Sequence, residues 1–264
     1  MSISNYNKNG YLILNNVITK KNCNKILFII KKLKKNKKDI TDNDHPFSKI
    51  KSDKKVIILK NKNLQLFNKL VNLKKILGLA EKISQEKKKI FLTKIYTKNA
   101  FDGENEFYHQ DFAYRTKTGL KANSYMQCFI ALEDHNLDGG CLKVFEGSNK
   151  LGLIKHYQVM SRSGISKLTI PAQKLKKISK KNKLKNIKLK AGSCIFFTYL
   201  TIHGSSSNAS SNDQTRIVVQ MHSENEKISK KNNLKFWKAR SLSEIDILKK
   251  MIVSKKNRFK KTIN

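Results

Sequence analysis

The sequence predicts a mainly β fold, a sandwich or jelly roll, with helices flanking it. From Lys89 onward, short runs with strand character are separated by turn residues. Before Lys89, two stretches carry apolar residues at helical spacing. The 264 residues contain no Gly/Pro/Ser-rich linker, which indicates one domain. We divide residues 1–264 into a helical N-terminal part (1–88), a jelly-roll core (89–226) and a basic helical tail (227–264).

The N-terminal part begins with one strand and continues with two helices. Residues 10–17 alternate loosely between apolar and polar types, which predicts a strand. Residues 20–37 place Ile26, Ile30 and Leu33 on one helical face. Residues 38–55 are polar and predict a loop, and the many leucines between residues 63 and 83 predict a second helix with a broad apolar face.

Five segments of the core have the composition of strands. They are residues 89–96, 124–132, 141–145, 187–200 and 215–223. Turn residues lie between them, including Asp138-Gly139-Gly140 and Ala191-Gly192-Ser193. The lysine-rich stretch 172–190 indicates an insertion or a solvated edge, and residues 243–254 predict a helix in the tail.

The formal net charge of +37 raises the question of a polyanionic partner. Only five of the 56 basic residues are arginine, the residue that recognises phosphates and base edges best. Lysine, asparagine and isoleucine are enriched together, as A+T-rich codons would produce. No specific nucleic-acid partner is therefore expected, although nonspecific binding to polyanions remains an alternative.

The four cysteines and the lengths of the apolar segments indicate the cellular compartment in which the protein is expected. Cys23, Cys128, Cys141 and Cys194 lie far apart without CxxC spacing, which predicts reduced, buried thiols. The first residues are polar, and no apolar run approaches the roughly 20 residues that span a bilayer. We therefore expect a soluble, cytoplasmic protein.

The stretch YHQDFAY (108–114) contains the first candidate for chemistry. On a strand, side chains two residues apart lie on the same face, so His109 and Asp111 could bind one ion while Gln110 points away. His203 follows the apolar run IFFTYL and could supply a third ligand. Two imidazoles and a carboxylate on one face of an ion are typical of non-haem Fe(II) oxygenases.

The other histidines are interpreted as structural or surface residues. These are His45, His135, His156 and His222, of which His222 is the reserve candidate for a ligand. Arg216 opens the apolar strand at 215–223, where burial would be unfavourable unless a carboxylate meets the guanidinium. That partner could be the distal carboxylate of 2-oxoglutarate, or Arg216 could simply pair with a structural acid.

The ordered set of segments resembles the phytanoyl-CoA dioxygenase family of Fe(II)- and 2-oxoglutarate-dependent oxygenases. The similarity runs over most of the chain and includes NGYLILNNVITKKNCNKI, YHQDFAY, CFIALEDHNLDGGCLKVFEGSNKLGLIKH and LTIHGSSSNASSNDQTR. The resemblance implies a double-stranded β-helix of the cupin-like, jelly-roll type. It also implies iron bound by His109, Asp111 and His203, with 2-oxoglutarate anchored by Arg216.

The same resemblance implies further roles and one limit on the reaction. Ser205 matches a family position that helps to hold 2-oxoglutarate, and Gln127 and Gln110 are expected in the pocket. Related halogenases lack the carboxylate ligand, so the presence of Asp111 favours hydroxylation.

The chain departs from the family at two places. Glu146 to Lys150 replaces the family turn PGSHK, so a proline and a histidine are missing. Arg216 follows His203 by thirteen residues, slightly more than is common in the family. A longer hairpin loop would absorb the difference and preserve the strand position of Arg216.

The sequence therefore predicts a dioxygenase that uses Fe(II), 2-oxoglutarate and O₂ to hydroxylate a small organic metabolite. The lysine-rich surface favours an anionic substrate. Two alternatives remain, a catalytically silent jelly-roll protein that kept the motif and a basic nucleic-acid-binding protein. The oligomeric state is not indicated by the sequence.

Overall fold

The computed structural model describes residues 3–35, 56–58, 67–101, 103–116, 118–161 and 166–226. The N-terminal part contains the helices α1 (Ile3–Asn9), α2 (Lys20–Lys35) and α3 (Leu73–Ser84) and the strands β1 (Tyr11–Leu14) and β2 (Val56–Ile58). The long strand β3 (Lys88–Lys98) then begins the core.

Nine more strands and one more helix follow in chain order among the described residues. They are β4 (Glu106–His109), β5 (Met126–Ala131), β6 (Leu142–Phe145), β7 (Tyr157–Met160), β8 (Ser166–Thr169), α4 (Ala172–Ser179), β9 (Leu184–Ile187), β10 (Cys194–Thr198), β11 (His203–Ser205) and β12 (Gln214–Ser223). Short 3₁₀ helices occupy Asp111–Tyr114, Ala122–Ser124 and Ser148–Leu151.

The strands form two antiparallel sheets and a separate hairpin. The larger sheet has the order β1-β10-β5-β12-β3-β2, and the smaller has the order β4-β11-β6-β9. Strands β7 and β8 pair only with each other among the described residues. The crossing between sheets in chain order, from β3 to β4, β5 to β6 and β10 to β11, is that of a jelly roll.

Both faces of the larger sheet are buried. Successive apolar residues along its strands point alternately to the helices on one side and to the smaller sheet on the other. Ile130 of β5 and Phe196 of β10 pack with Ile26 of α2 and Ile76 of α3 on the outer face. Phe129 and Phe197 point the other way and pack with Val144 of the smaller sheet. The helices therefore cover the outside of the barrel, and the space between the sheets is its interior.

Several predicted elements differ from the structure in their bounds. The predicted strand at 10–17 is limited to Tyr11–Leu14, and the predicted run at 187–200 is divided into the end of β9 and β10. The stretch 172–190 holds α4 and β9, and β9 is an edge strand of the smaller sheet. β1 and β2 show that the N-terminal part also supplies strands to the larger sheet.

The predicted continuous helix at 63–83 is interrupted. Residues 67–71 are helical, but Asn72 adopts a left-handed conformation with φ of 53° before α3 starts. Its side-chain oxygen accepts a hydrogen bond from the Lys75 amide at 3.2 Å and so caps the new helix. The predicted loop at 38–55, the predicted helix at 243–254 and the tail 227–264 lie outside the described residues.

All four cysteines are buried and free, as predicted. Within the described ranges, no helix is both long enough and apolar enough to cross a membrane.

Candidate metal centre

His109, Asp111 and His203 converge at one point of the smaller sheet. His109 is the last residue of β4 and lies directly opposite His203, the first residue of β11. Asp111 does not continue the strand, as the sequence had suggested, but begins a 3₁₀ helix after the extended residue Gln110. The turn of the backbone at that point brings its carboxylate back towards the two imidazoles.

The distances between the three side chains match a shared ion. One ligand atom from each residue can be chosen so that all three lie within 4.8 Å of one another. The His109 Nε2 lies 3.4 Å from Asp111 Oδ1, and the His203 Nε2 lies 3.5 Å from Asp111 Oδ2. Among the described residues, this is the cluster of histidine, cysteine and acidic side chains with the geometry of a metal site.

Both imidazoles are fixed in the tautomer that a metal requires. His109 Nδ1 donates to the Phe107 carbonyl at 2.7 Å, and His203 Nδ1 donates to the Thr201 carbonyl at 3.0 Å. Because a carbonyl can only accept, the proton of each neutral ring lies on Nδ1. The Nε2 lone pairs of both rings therefore face Asp111 and are available to an ion.

The protonation of the cluster is set by burial and by the Asp111 charge. Burial, followed by the charge of the nearby His109, lowers the pKa of His203 to about 4. Burial also acts to lower the pKa of His109, but the hydrogen bond and charge of Asp111 outweigh it and the pKa is raised. Burial acts to raise the pKa of Asp111, but the two histidines outweigh it and the pKa is lowered. The carboxylate is thus ionised, as a ligand must be.

Gln127 contacts the carboxylate directly. Its side-chain amide donates to Asp111 Oδ2, and its own oxygen accepts from the Gln220 amide at 3.4 Å. The Gln220 oxygen in turn accepts from the Arg115 guanidinium at 3.3 Å. Gln127, which the sequence analysis predicts to contact the co-substrate, therefore contacts the carboxylate of the candidate ligand Asp111, and its predicted co-substrate contact stays a prediction.

Gln110 has a different role from the pocket residue expected from the sequence. Its side-chain amide donates to the carbonyls of Gly152 and Leu200, both at 2.7 Å, and its oxygen accepts from the Ile154 amide at 2.8 Å. The side chain is fully buried. Gln110 therefore joins two loops to the metal-binding turn and has no spare group for a ligand.

The structural interpretation of the remaining histidines agrees with their contacts. His156 accepts a hydrogen bond from the Gln110 amide at 3.0 Å, and His135 donates to the Thr215 carbonyl at 3.2 Å. His222, the reserve candidate, packs in an aromatic cluster with Phe91 and Tyr125 and does not belong to the metal-binding group found among the described residues. His45 lies outside the described residues.

Arg216 lies in β12 on the interior face of the larger sheet. It pairs with Tyr96 of β3 and Ala131 of β5, and its guanidinium lies 5.7 Å from the Tyr96 ring and 5.2 Å from the Phe129 ring. Residues 206–213 form the loop between β11 and β12, so the longer spacing from His203 is absorbed there. Its Nε is buried without a hydrogen-bond partner among the described residues. Such an atom fits a site for an acceptor that binds from outside.

Ser205 lies two residues after His203, on the same strand and buried. Its hydroxyl accepts a hydrogen bond from the Lys98 ammonium at 2.7 Å.

The sequence did not indicate Lys98 as a site residue, because one lysine among so many carries no signal in itself. The alternation of Lys94, Tyr96 and Lys98 with the apolar Ile95 was the available sign that these side chains face the barrel interior.

The turn Glu146–Lys150, which departs from the family pattern, is hydrogen-bonded to the residue that precedes His203. Gly147 has a φ of 71°, and the Ser148 hydroxyl accepts a hydrogen bond from the Ile202 amide at 2.9 Å, next to His203. The Tyr11 hydroxyl donates to Glu146 at 2.7 Å and joins β1 to the same turn. The turn thus keeps a supporting function without the proline and histidine of the family pattern.

Comparison with known proteins gives the chain a family. The sequence profile of the phytanoyl-CoA dioxygenase (PhyH) family matches residues 6–218. The ectoine dioxygenases of Bordetella bronchiseptica and Bordetella parapertussis are each 21% identical to this chain over 222 residues. The aligned region covers 79% of this chain and 70% of each relative.

Solved structures show the same fold. EctD from S. alaskensis, solved with 2-oxoglutarate and 5-hydroxyectoine, superposes with a TM-score of 0.71 at 14% identity, covering 86% of this chain and 77% of EctD. The α-ketoglutarate-dependent epimerase SnoN from nogalamycin biosynthesis gives 0.60 at 16% identity, covering 84% and 81%. These findings confirm the predicted jelly roll, and the match to the family profile over most of the sequence shows that the chain belongs to the phytanoyl-CoA dioxygenase family.

Proposed function

We propose that this protein is an Fe(II)- and 2-oxoglutarate-dependent dioxygenase that hydroxylates a small organic metabolite. The observation that carries the proposal is the convergence of His109, Asp111 and His203 within 4.8 Å in a chain of this family. Two neutral imidazoles and one carboxylate on one side of an ion leave the opposite positions open for substrates. Fe(II) bound there supplies the redox chemistry that couples oxidation of 2-oxoglutarate to succinate and CO₂ with insertion of one O₂ oxygen into the substrate.

The protein contributes preorganisation to this reaction. The backbone carbonyls of Phe107 and Thr201 fix the two imidazoles, and the Gln127 amide fixes the carboxylate of Asp111. These contacts hold the donor atoms before the ion arrives, so little ordering remains for binding to impose. The presence of Asp111 favours hydroxylation over halogenation, which needs the carboxylate position free.

The interior face of the larger sheet supplies the co-substrate site in this proposal. Arg216 offers a guanidinium whose buried Nε has no hydrogen-bond partner within the described ranges, and Ser205 lies two residues after His203 on β11. A guanidinium suits the planar carboxylate at the far end of 2-oxoglutarate, since two N–H groups can donate to its two oxygens. The keto acid end would then extend towards the metal ligands.

We propose that the substrate approaches the turn that carries Asp111, beside which the described residues place several aromatic groups and the Arg115 guanidinium. The stacked rings of Tyr125 and Tyr199 lie 4.7 Å apart, and Phe112 lies near them at the start of the metal-binding turn. Arg115 closes the same turn, and its guanidinium lies 5.3 Å from the Phe91 ring. We propose on this basis that the substrate has an apolar portion and a negative charge, in line with the basic surface.

A direct test uses the purified protein in the absence of oxygen. Adding Fe(II) and 2-oxoglutarate should give a metal-to-ligand charge-transfer band in the visible spectrum, and admitting air should release succinate. Asp111→Ala should lose both, because one of three ligands is gone. Asp134→Ala serves as the matched control, since Asp134 is an exposed acid paired with Lys190 far from the cluster.

The result also separates the enzyme from its silent alternative. A charge-transfer band without succinate release, over a broad panel of anionic and neutral metabolites, would favour a binding protein that kept the motif. Absence of the band in the wild-type protein would contradict the proposal itself.

A further inference from the structure

A cleft lies on the outer face of the smaller sheet, away from the barrel interior. Val144 of β6 points into the interior cluster, so its neighbours Lys143 and Phe145 project from the opposite face. There Phe145 packs against the Tyr108 ring of β4, with 5.2 Å between the ring centroids, and Ile178 of α4 packs with them. A cavity of about 400 Å³, a volume typical of small-molecule sites, remains between this face, the β7–β8 hairpin and α4. We call it the outer cleft, and its walls include Tyr108, Lys143, Tyr157, Val159 and Leu175.

One part of the outer cleft is apolar and aromatic. Val159 of β7 and Leu175 of α4 are half-buried in its walls, and the Tyr108 ring lies on the sheet beneath them. Tyr157 also lines the cleft although 47% of its surface is exposed, which places its ring at the boundary with solvent. Such a lining favours a ligand with a flat apolar body, since ring contacts add to the free energy gained by burial.

The other part of the outer cleft contains a lysine without an acidic partner. Within the described ranges, the Lys143 ammonium forms neither an ion pair nor a hydrogen bond. Glu106 also lines the cleft, but its carboxylate already pairs with the Lys167 ammonium at 2.9 Å. An anionic group that enters the cleft can therefore bind Lys143 without displacing a protein carboxylate from it.

The smaller sheet separates the outer cleft from the candidate metal centre. Side chains alternate along a strand, so Tyr108 and Gly204 face away from the neighbouring ligands His109 and His203. A Cβ at Gly204 would lie 2.9 Å from the Tyr108 ring, so these two residues meet on the outer face. The three candidate metal ligands are not among the lining residues, although Ser205 is. A molecule in the cleft thus contacts the reverse side of the strands that carry the two histidines.

We propose that the outer cleft is a second ligand site, which binds a small organic anion with a flat apolar body. The anionic group binds the Lys143 ammonium, and the apolar body lies against Tyr157, Val159 and Leu175. This inference goes beyond the proposed dioxygenase reaction, because it uses neither iron nor 2-oxoglutarate nor any of the candidate metal ligands.

The experiment is calorimetry of the full-length, Fe(II)-loaded protein without oxygen, in the presence of saturating 2-oxoglutarate. Two compounds of nearly equal shape are compared, 2-naphthoate and the uncharged 2-naphthamide. Because Ser205 borders the cleft, filling the co-substrate site first removes that site as an alternative target. The carboxylate compound should bind at one site about 10-fold more tightly than the amide, since only a carboxylate forms an ion pair with Lys143.

Two variants assign this binding to the outer cleft. Lys143→Met should weaken 2-naphthoate binding by about 10-fold and leave 2-naphthamide unchanged, because only the charged contact is lost. Tyr157→Ser should weaken both compounds to the same extent, because it removes contact area from the apolar body. Since Tyr157 is largely exposed, this second variant keeps the test decisive if Lys143→Met does not fold.

Lys180→Met is the matched control. Lys180 is an exposed lysine directly after α4 and does not line the outer cleft, so neither affinity should change.

The inference would be overturned by equal binding of the two compounds, by no binding of 2-naphthoate at millimolar concentration, or by unchanged 2-naphthoate affinity in folded Lys143→Met. Competition between 2-naphthoate and 2-oxoglutarate would also overturn it, because the compound would then lie in the barrel interior. Failure of the wild-type protein to bind Fe(II) or 2-oxoglutarate would overturn the proposed function alone, since the titration with 2-naphthoate can be repeated without them.

Discussion

We propose that Gln127 positions a metal ligand without binding the metal itself. Its amide donates to Asp111 Oδ2, and Gln220 supports it from β12. The carboxylate has two oxygens and a freely rotating terminal bond, so a fixed donor on one oxygen selects its orientation. The effect is the same as that of the carbonyls that fix His109 and His203.

Gln127→Leu should weaken Fe(II) binding by about 10- to 100-fold, since the Asp111 carboxylate loses the donor that orients it. Anaerobic Fe(II) titration followed by the charge-transfer band measures this change. Gln158→Leu, at an exposed position of β7, is the control. If Gln127→Leu instead weakens 2-oxoglutarate binding and leaves Fe(II) affinity unchanged, the residue is a co-substrate contact and the positioning role is wrong.

For individual residues, the sequence predicted the candidate metal ligands but not the side chains and turns that contact them. His109, Asp111 and His203 were predictable because the pattern HxD followed by a distant histidine after an apolar strand is rare. The 3₁₀ turn at Asp111 was not, because the identity of residues 110–114 is compatible with a continued strand. Lys98 was hidden by composition, and the three backbone contacts of Gln110 depend on loops that meet only in the folded chain.

Among the elements, the turn before β10 connects the barrel to the helical layer. The Gly192 carbonyl accepts hydrogen bonds from the amides of Val17 at 2.8 Å and Ile18 at 3.0 Å. Gly192 has a φ of 83°, and a Cβ at this position would overlap the Ile18 carbonyl. The close approach of the two backbones therefore requires glycine.

Gly192→Ala should lower the free energy of unfolding by at least about 2 kcal/mol, because both the left-handed backbone and the contact with Ile18 oppose a side chain. Gly78→Ala is the control, for which we expect a change in the free energy of unfolding of opposite sign. Gly78 lies within α3 with open space around its Cβ position, so alanine should stabilise the protein by about 0.5–1 kcal/mol. Urea unfolding of the two variants measures both changes, and equal effects in the same direction would contradict this assignment.

The elements themselves were predictable to different degrees. The core strands β3, β5, β6, β10 and β12 have dense apolar and β-branched sequences, and the sequence located all of them. The strands β7, β8 and β9 are short and partly exposed, so their sequences carry little periodicity. The break at Asn72 needs a left-handed residue that helical spacing alone does not reveal.

For the molecule as a whole, the dominant property is its charge of +37. Such a charge attracts polyanions through counterion release whatever the function of the protein. The family match and the metal cluster support a function that needs no nucleic-acid substrate. We therefore predict that the lysine excess affects encounter rates and solubility and does not select a nucleic-acid sequence.

Filter binding across a salt series tests this interpretation. At low salt the protein should retain DNA and RNA of any sequence, and retention should fall steeply between roughly 50 and 200 mM salt because each neutralised phosphate releases a counterion. Unrelated sequences should lose binding in parallel. Retention of one sequence or one structure at physiological salt would identify a selected nucleic-acid function instead.

The direct pairing of His109 with His203 across β4 and β11 should couple ion binding to the stability of strand β4. An ion held by both rings is a crosslink between two chain segments that are far apart in sequence, and it closes a long loop as a disulfide would. Strand β4 lies at the edge of its sheet and has only four residues, so in the apoprotein its amides should open locally and exchange with solvent. Loading the ion should slow deuterium uptake at Glu106–His109 far more than in the central strand β5.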